Sequence, residues 1–262
     1  MDKRPAILLT NDDGIDSPGL RALYESLSEI AEVTAVAPAD DQSAMGRACS
    51  HEVAVTEHEL GYAIDGTPVD CVIAGLEAIG PHPDLVVSGC NTGANIGAYV
   101  LGRSGTVSAA VEAAFFGVPA IAVSLYVPED QWPYQASGGD YDEACRAAQY
   151  LVERAPEVGL FEQVEYLNVN APIPDGDPAE MVVTRPDTSY HMTATREGEA
   201  ITVHDRTWDL MANGELVGAE GTDRRAISAG QISVSPLTAP HTTEHHESLD
   251  ALVDEYAELA SA

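Results

Sequence analysis

From Ala6 to Pro172, short apolar runs alternate with segments of helical period, and few folds satisfy that alternation. Ala6–Leu9, Glu32–Ala37, Leu85–Val87, Ala120–Leu125 and Tyr166–Asn170 are mostly apolar, too short for helices and bounded by polar or turn residues. Between them, apolar residues recur at three- and four-residue spacing. Leu20, Leu23, Tyr24, Leu27 and Ile30 form one such face, and Val72, Ile73, Leu76 and Ile79 another. Val107, Ala110, Val111, Ala114 and Phe115 form a third, and Ala144, Ala148, Leu151 and Val152 a fourth. Ser17-Pro18, Thr67-Pro68 and Ser104 supply N-caps and first-turn prolines, while Gly80-Pro81 and Gly117 supply stops. This pattern predicts an α/β fold whose mostly parallel sheet carries helices on both faces.

Two stretches break the pattern. Val53–Val55 and Tyr62–Ile64 read as a hairpin bent near Gly61. The segment from Leu125 to Asp140, with Trp132, Pro133 and Tyr134, reads as a loop. After Pro174, strand-like runs (Met181–Thr184, Ala200–Val203, Ile232–Val234) follow without intervening amphipathic helices. Residues 1–174 are therefore expected to form the core. Residues 175–262 are expected to form a smaller β-rich appendage of hairpins, closed by an amphipathic helix from Ser248 to Ala260.

The chain has 43 acidic and 12 basic residues and a net charge of -31. The acids are spread along the whole length among apolar runs that a disordered acidic chain would lack. Such a surface suits very high salt, where repulsion is screened within about 3 Å at molar ionic strength. It excludes DNA and RNA polymers as partners, since no basic stripe exists. Cys49, Cys71, Cys90 and Cys145 are widely spaced, which predicts reduced structural thiols and neither a zinc knuckle nor a dithiol site. No run reaches the length of a membrane helix, and the amino-terminal apolar run is too short for a signal peptide. A cytoplasmic protein without a membrane partner is expected.

Chemistry concentrates where open α/β sheets bind ligands, beyond the carboxyl ends of the strands. Asn11-Asp12-Asp13-Gly14 follows the first strand. Taken alone it is a solvated Asx turn; its position makes it a site candidate. Ser43 lies in the loop after the second strand, and Ser88–Gly97, rich in Gly, Asn and Thr, follows Leu85–Val87. Such a loop exposes backbone N–H groups that can cradle an anion. Ser104-Gly105-Thr106 opens a helix, which reads equally as an ordinary cap or as a phosphate seat. Asp12, Asp13, Ser43, Asn91, Asn95, Ser104 and Thr106 offer only oxygen ligands, which suit Mg²⁺ or Mn²⁺ better than zinc. A hard cation facing an anion cradle is equipment for phosphoryl transfer. His51 reads as structural, and His245 and His246 as solvated.

Several motifs occur in a characteristic order: Thr-Asn-Asp-Asp-Gly, Ala-Pro…Gln-Ser, Gly-Thr-Pro-Val-Asp-Cys-Val, Val-Ser-Gly-Cys-Asn-Thr-Gly-Ala-Asn-Ile-Gly, Ser-Gly-Thr-Val-Ser-Ala-Ala and Asn-Val-Asn-Ala-Pro. Together they closely resemble the SurE family of survival-protein 5′-nucleotidases, densely from Ile7 to Ser124 and again at 168–172 and 222–237. The resemblance implies a Rossmann-like core, to which residues 222–237 return, and a metal-dependent phosphatase acting on small-molecule nucleotides, chiefly nucleoside 5′-monophosphates. One divalent cation per subunit, Mg or Mn, would fall on Asp12, Asp13, Ser43 and Asn91, with Asp12 and Asp13 catalytic. Phosphate or substrate contacts would fall on Asn11, Asn95, Ser104, Gly105 and Thr106. A homodimer or homotetramer is also implied, using an extended hairpin and the carboxyl-terminal segment.

Two residues depart from the family pattern. Ala44 replaces the usual Gly after the metal-binding Ser, and Arg103 replaces a common Tyr before Ser-Gly-Thr. The first alters the loop. The second bears on substrate preference, since its guanidinium can itself contact phosphate. In-line attack by water is the expected mechanism. Asp12 as nucleophile, a nucleotide-binding module without catalysis, and an oligomer whose acidic turns merely bind salt cations are the alternatives.

Overall fold

A computed structural model describes residues 4–128, 137–173 and 176–239. The apolar run at the amino terminus forms β1 (Ala6–Thr10), followed by α1 (Pro18–Ser28), β2 (Glu32–Pro38) and the hairpin β3 (Val55–His58) and β4 (Gly61–Ile64). Next come α2 (Pro68–Glu77), β5 (Leu85–Thr92), α3 (Ala98–Leu101), α4 (Gly105–Phe115), β6 (Ala120–Tyr126), α5 (Asp142–Glu157) and β7 (Tyr166–Pro172). The remainder is β8 (Met181–Val183), β9 (Met192–Glu197), β10 (Ala200–Asp205), α6 (Thr207–Ala212), α7 (Asp223–Ser228) and β11 (Ile232–Leu237).

Among the described residues, nine strands form one sheet in the order β3-β4-β2-β1-β5-β6-β7-β11-β8. From β4 to β7 neighbours run parallel; β3 is antiparallel to β4, and β11 to β7. The strand order reverses at β1, whose neighbours are β2 on one side and β5 on the other. The crevice beyond the carboxyl ends of β1 and β5 is therefore the switch point of a doubly wound α/β sheet.

Both faces of the sheet are covered. Ile7 and Leu9 pack into a core shared with Leu20, Leu23 and Leu27 of α1 and Leu151 of α5. Leu8 faces the opposite core with Val72 and Leu76 of α2 and Val107 and Val111 of α4. A strand buried on both faces has no polar side to alternate with, which is why β1 reads as an unbroken apolar run. Each wholly buried Leu or Ile contributes about 1.5–3 kcal/mol. The helix starts are capped as their sequences require. Ser17 Oγ accepts from Leu20 N at 3.4 Å, Thr67 and Asp70 form a reciprocal capping box, and Ser104 Oγ accepts from Val107 N at 3.1 Å. All four cysteines are free thiols.

Beyond residue 174 the structure departs from a separate appendage. β11 pairs with β7 in antiparallel register, Val234 opposite Val169, and β8 joins beyond it, so both complete the main sheet. Among the described residues, only β9 and β10 stand apart as a hairpin. The alternating Ile-Ser-Val-Ser of β11 looks half-solvated, yet Ser233 and Ser235 are buried because Thr184 Oγ1 lies 2.8 Å from each hydroxyl. Short α6 and α7 also occupy this stretch, and β5 continues through Ser88–Thr92, expected as loop. Trp132 to Tyr134, His245, His246 and the helix expected at Ser248–Ala260 lie outside the described residues. No helix among the described residues is long and apolar enough to cross a membrane.

Candidate active site

The turn after β1 is locked by its own asparagine. Asn11 is fully buried, and its Nδ2 donates to Gly14 O at 2.9 Å and to Ser17 Oγ at 2.7 Å. Gly14 takes a φ of 99°, a region that a side chain would resist. Two further backbone bonds, Ile15 N to Pro38 O at 2.8 Å and Gln42 N to Asp12 O at 2.7 Å, tie this turn to the loop after β2. Asn11, a candidate for substrate contact, thus lies beneath the turn and braces it.

Asp12 and Asp13 line a cavity of about 1070 Å³ at the switch point, together with Ser43, Asn91, Asn95 and Ser104. Asp12 is 5% exposed, and its Oδ1 accepts a 2.6 Å hydrogen bond from Thr106 Oγ1. Burial raises its pKa, against the opposing pull of the Thr106 bond. Burial first, and the neighbouring Asp12 charge second, push the Asp13 carboxyl up to about 7. Thr92 N donates to Asp13 Oδ2 at 3.3 Å. Among the described residues, neither carboxylate has a Lys, Arg or His within ion-pair distance.

Two crowded carboxylates without a protein cation suit a bound one. Asn91 Nδ2 donates to Gly93 O at 2.6 Å, which commits the amide nitrogen and leaves Oδ1 to ligate. Ser43 donates through N and Oγ to Asp41 Oδ1, at 2.8 and 2.6 Å, so its hydroxyl lone pairs remain available. Among the described residues no three His, Cys, Asp or Glu side chains form a metal-binding group. A cation here would therefore depend on the Ser43 and Asn91 oxygens, an all-oxygen set that fits a hard divalent ion.

Gly105 and Thr106 do not line the cavity; they stand behind Asp12. A Cβ on Gly105 would lie 2.7 Å from both Cβ and Oδ2 of Asp12, so only glycine lets α4 start this close. Gly105→Ala is expected to destabilise the protein by about 1–3 kcal/mol through this overlap, measured by urea unfolding. Asn95 is held by β7: its N–H donates to Asn170 Oδ1 at 2.7 Å, and its carbonyl accepts from Asn168 and Asn170 Nδ2. Its own Nδ2 donates to Ser124 Oγ at 2.9 Å. The Asn-Val-Asn of β7 thus clamps the glycine-rich loop over the sheet edge.

The structure also brings in residues that carried no motif. Asp41 orients Ser43, and Tyr141 OH lies 2.7 Å from Thr92 Oγ1 at the cavity wall. Trp208 enters from α6. An aromatic in so aromatic-poor a chain was the available signal for Tyr141 and Trp208. His51 does not line the cavity. Arg103 does, with its guanidinium 5.3 Å from the ring centre of Tyr99, which stacks on Tyr190. Ala44 adopts a φ of 65°, a left-handed conformation that explains why glycine suits the position after Ser43.

Fold and site together define a doubly wound α/β protein with an acidic, oxygen-donor crevice beside a helix start at its switch point. A family model described as "Survival protein SurE" matches residues 7–193. The chain is 62% identical to the 5′-nucleotidase SurE of Haloarcula marismortui over 96% of this chain and 95% of that protein. It is 60% identical to the 5′-nucleotidase SurE of Halobacterium salinarum, over 96% of this chain and 98% of that one. The crystal structure of the SurE protein from Aquifex aeolicus superposes with a TM-score of 0.76 at 30% identity, covering 97% of this chain and 100% of that chain. The chain belongs to the SurE family.

Proposed function

We propose that the protein is a divalent-metal-dependent phosphomonoester hydrolase that converts nucleoside 5′-monophosphates to nucleoside and phosphate. The observation that carries this is the uncompensated Asp12–Asp13 pair beside the start of α4, inside a cavity large enough for a nucleotide. The names of the halophile relatives, 5′-nucleotidase SurE, support it. Asp12, Asp13, Ser43 and Asn91 would hold Mg²⁺ or Mn²⁺, which when bound supplies Lewis-acid polarisation of the phosphoryl group. Thr106 and Gly105 fix Asp12, and Thr92 N orients Asp13. Asn95 and Ser104 face the phosphoryl end, where Arg103 adds a positive charge to a lining otherwise rich in carboxylates. One of the two aspartates would take the proton of the attacking water.

The direct test is phosphate release from a panel of nucleoside monophosphates in molar KCl, with Mg²⁺ or Mn²⁺ and a chelator control. Release that persists in chelator would overturn the metal dependence. Nucleotide binding without turnover would leave a binding module instead.

Proton competition sets a pH dependence. The cation binds the ionised pair, and Asp13 releases its proton near pH 7. Because burial raises the Asp12 carboxyl as well, cation affinity is expected to fall at least about tenfold per pH unit as pH drops below 7. Calorimetric titration of Mn²⁺ at pH 6 and pH 8 checks this; equal affinities would contradict it.

The same reading places the protein in the cytoplasm as a homodimer or homotetramer. Val183 on β8 and Ile201 and Val203 on the β9–β10 hairpin, all well exposed, support self-association.

A further inference from the structure

The cavity is larger than a phosphoryl group requires. Its volume of about 1070 Å³ lies just above the range for pockets that enclose whole small molecules, about 300–1,000 Å³. The wall around Asp12 and Asp13 comes from the ends of β1 and β5, the loop after β2 and the start of α4. Another part of the wall comes from α6, which carries Trp208. The indole packs against Ala94, Ile96, Met211 and Ile227, an apolar cluster that includes the glycine-rich loop. It remains half-buried because the cavity borders it. Its mount is firm: Asp205 Oδ1 accepts from Thr207 N at 2.9 Å, and Thr207 is buried. Tyr141, the other aromatic of the wall, is wholly buried and engaged with Thr92, so it offers no open ring face.

We infer that Trp208 is the stacking platform for the base of the substrate, which makes the α6 end of the cavity a nucleoside subsite. This rests on the nucleotide-phosphatase reading above. An aromatic face accepts every base, since each has a π-face of its own. The subsite therefore selects nucleotides over sugar phosphates and discriminates weakly among bases.

The experiment compares kcat/KM for 5′-AMP and for ribose 5-phosphate, which lacks the base, in wild type, Trp208→Phe and Trp208→Leu. Leucine keeps the apolar packing and removes the ring; phenylalanine keeps a ring. Trp208→Leu is expected to raise KM for 5′-AMP about tenfold and leave ribose 5-phosphate unchanged, with Trp208→Phe close to wild type. Equal losses on both substrates, or equal behaviour of the Phe and Leu variants, would reduce Trp208 to a packing residue and overturn the inference. A second readout does not need turnover. In a Trp132→Phe background Trp208 is the remaining tryptophan, and adenosine should quench its emission saturably. Quenching by adenosine in a protein that releases phosphate from neither substrate would sink the hydrolase reading and keep the subsite. An emission unchanged by adenosine would sink the subsite whatever the activity.

Discussion

Asp12→Asn is expected to lower phosphate release from 5′-AMP at least about a thousandfold while leaving the protein folded. The activity loss follows from removing a charged ligand whose cation supplies several kcal/mol of transition-state stabilisation, each about 1.4 kcal/mol being a factor of ten. The fold should survive because Asp12 is a liability without a cation. It is 5% exposed, has no basic partner among the described residues, and burial disfavours its ionised form. Asparagine keeps an oxygen for the Thr106 hydroxyl and removes the buried charge. Without metal, the variant's melting temperature is expected to equal or exceed that of wild type; with Mn²⁺ only wild type should gain stability. A variant that hydrolyses 5′-AMP at the wild-type rate would remove Asp12 from the site. A variant that melts well below wild type without metal would mean that Asp12 serves the fold.

Arg224→Ala is expected to have the largest effect on stability, a loss of about 3–5 kcal/mol. Arg224 is 1% exposed, and its Nη1 donates to Asp187 Oδ1 at 2.9 Å and to Ser189 Oγ at 2.6 Å. Burial alone would raise the Asp187 carboxyl; the Ser189 hydrogen bonds and the Arg224 charge outweigh it and hold the pKa low. Beside it, Asp223 is fully buried and accepts from Gly97 N at 2.7 Å, Asp187 N at 2.9 Å and Arg224 N at 2.7 Å. Deleting the guanidinium strands the Asp187 carboxylate and removes the nearby positive charge that favours ionised Asp223. Urea unfolding in molar KCl measures the loss. The double variant Arg224→Met/Asp187→Asn should lose less than Arg224→Ala, because Asp187 is then not left as a buried charge without its partner. A loss for Arg224→Ala below about 1 kcal/mol would mean that the pair behaves like an exposed one.

The central sheet was legible because β1, β5 and β6 are buried on both faces and so appear as apolar runs with nothing else to be. The helix starts were legible because Ser17, Thr67 and Ser104 cap by local chemistry alone. β11 was not read from its residues as part of the core, because its buried serines are satisfied by Thr184, a partner 49–51 positions away that no window reveals. Short α3 and α6 hold too few turns to show a period. At the site, Asp12, Asp13, Ser43, Asn91, Asn95 and Ser104 meet at one cavity, as their places after strands suggested. Asn11, Gly105 and Thr106 come from the same motifs but stand behind the residues that line the cavity. A motif records which residues a site needs, without separating those that face the ligand from those that hold their neighbours. Asp41, Tyr141 and Trp208 reach the cavity from segments whose meeting is purely tertiary.

The placement of β11 has a bearing on biosynthesis. Among the described residues, β8 hydrogen-bonds within the sheet only to β11, which is made later, after the β9–β10 hairpin and α6 and α7. On a ribosome, where amino-terminal parts fold first, β1 to β7 can zip together as they emerge. β7 then waits with an open edge until residue 237 has cleared the exit tunnel, and an open edge invites pairing with another chain. A nascent chain stalled before Ile232 should therefore aggregate or recruit a chaperone where one stalled well beyond Leu237 does not.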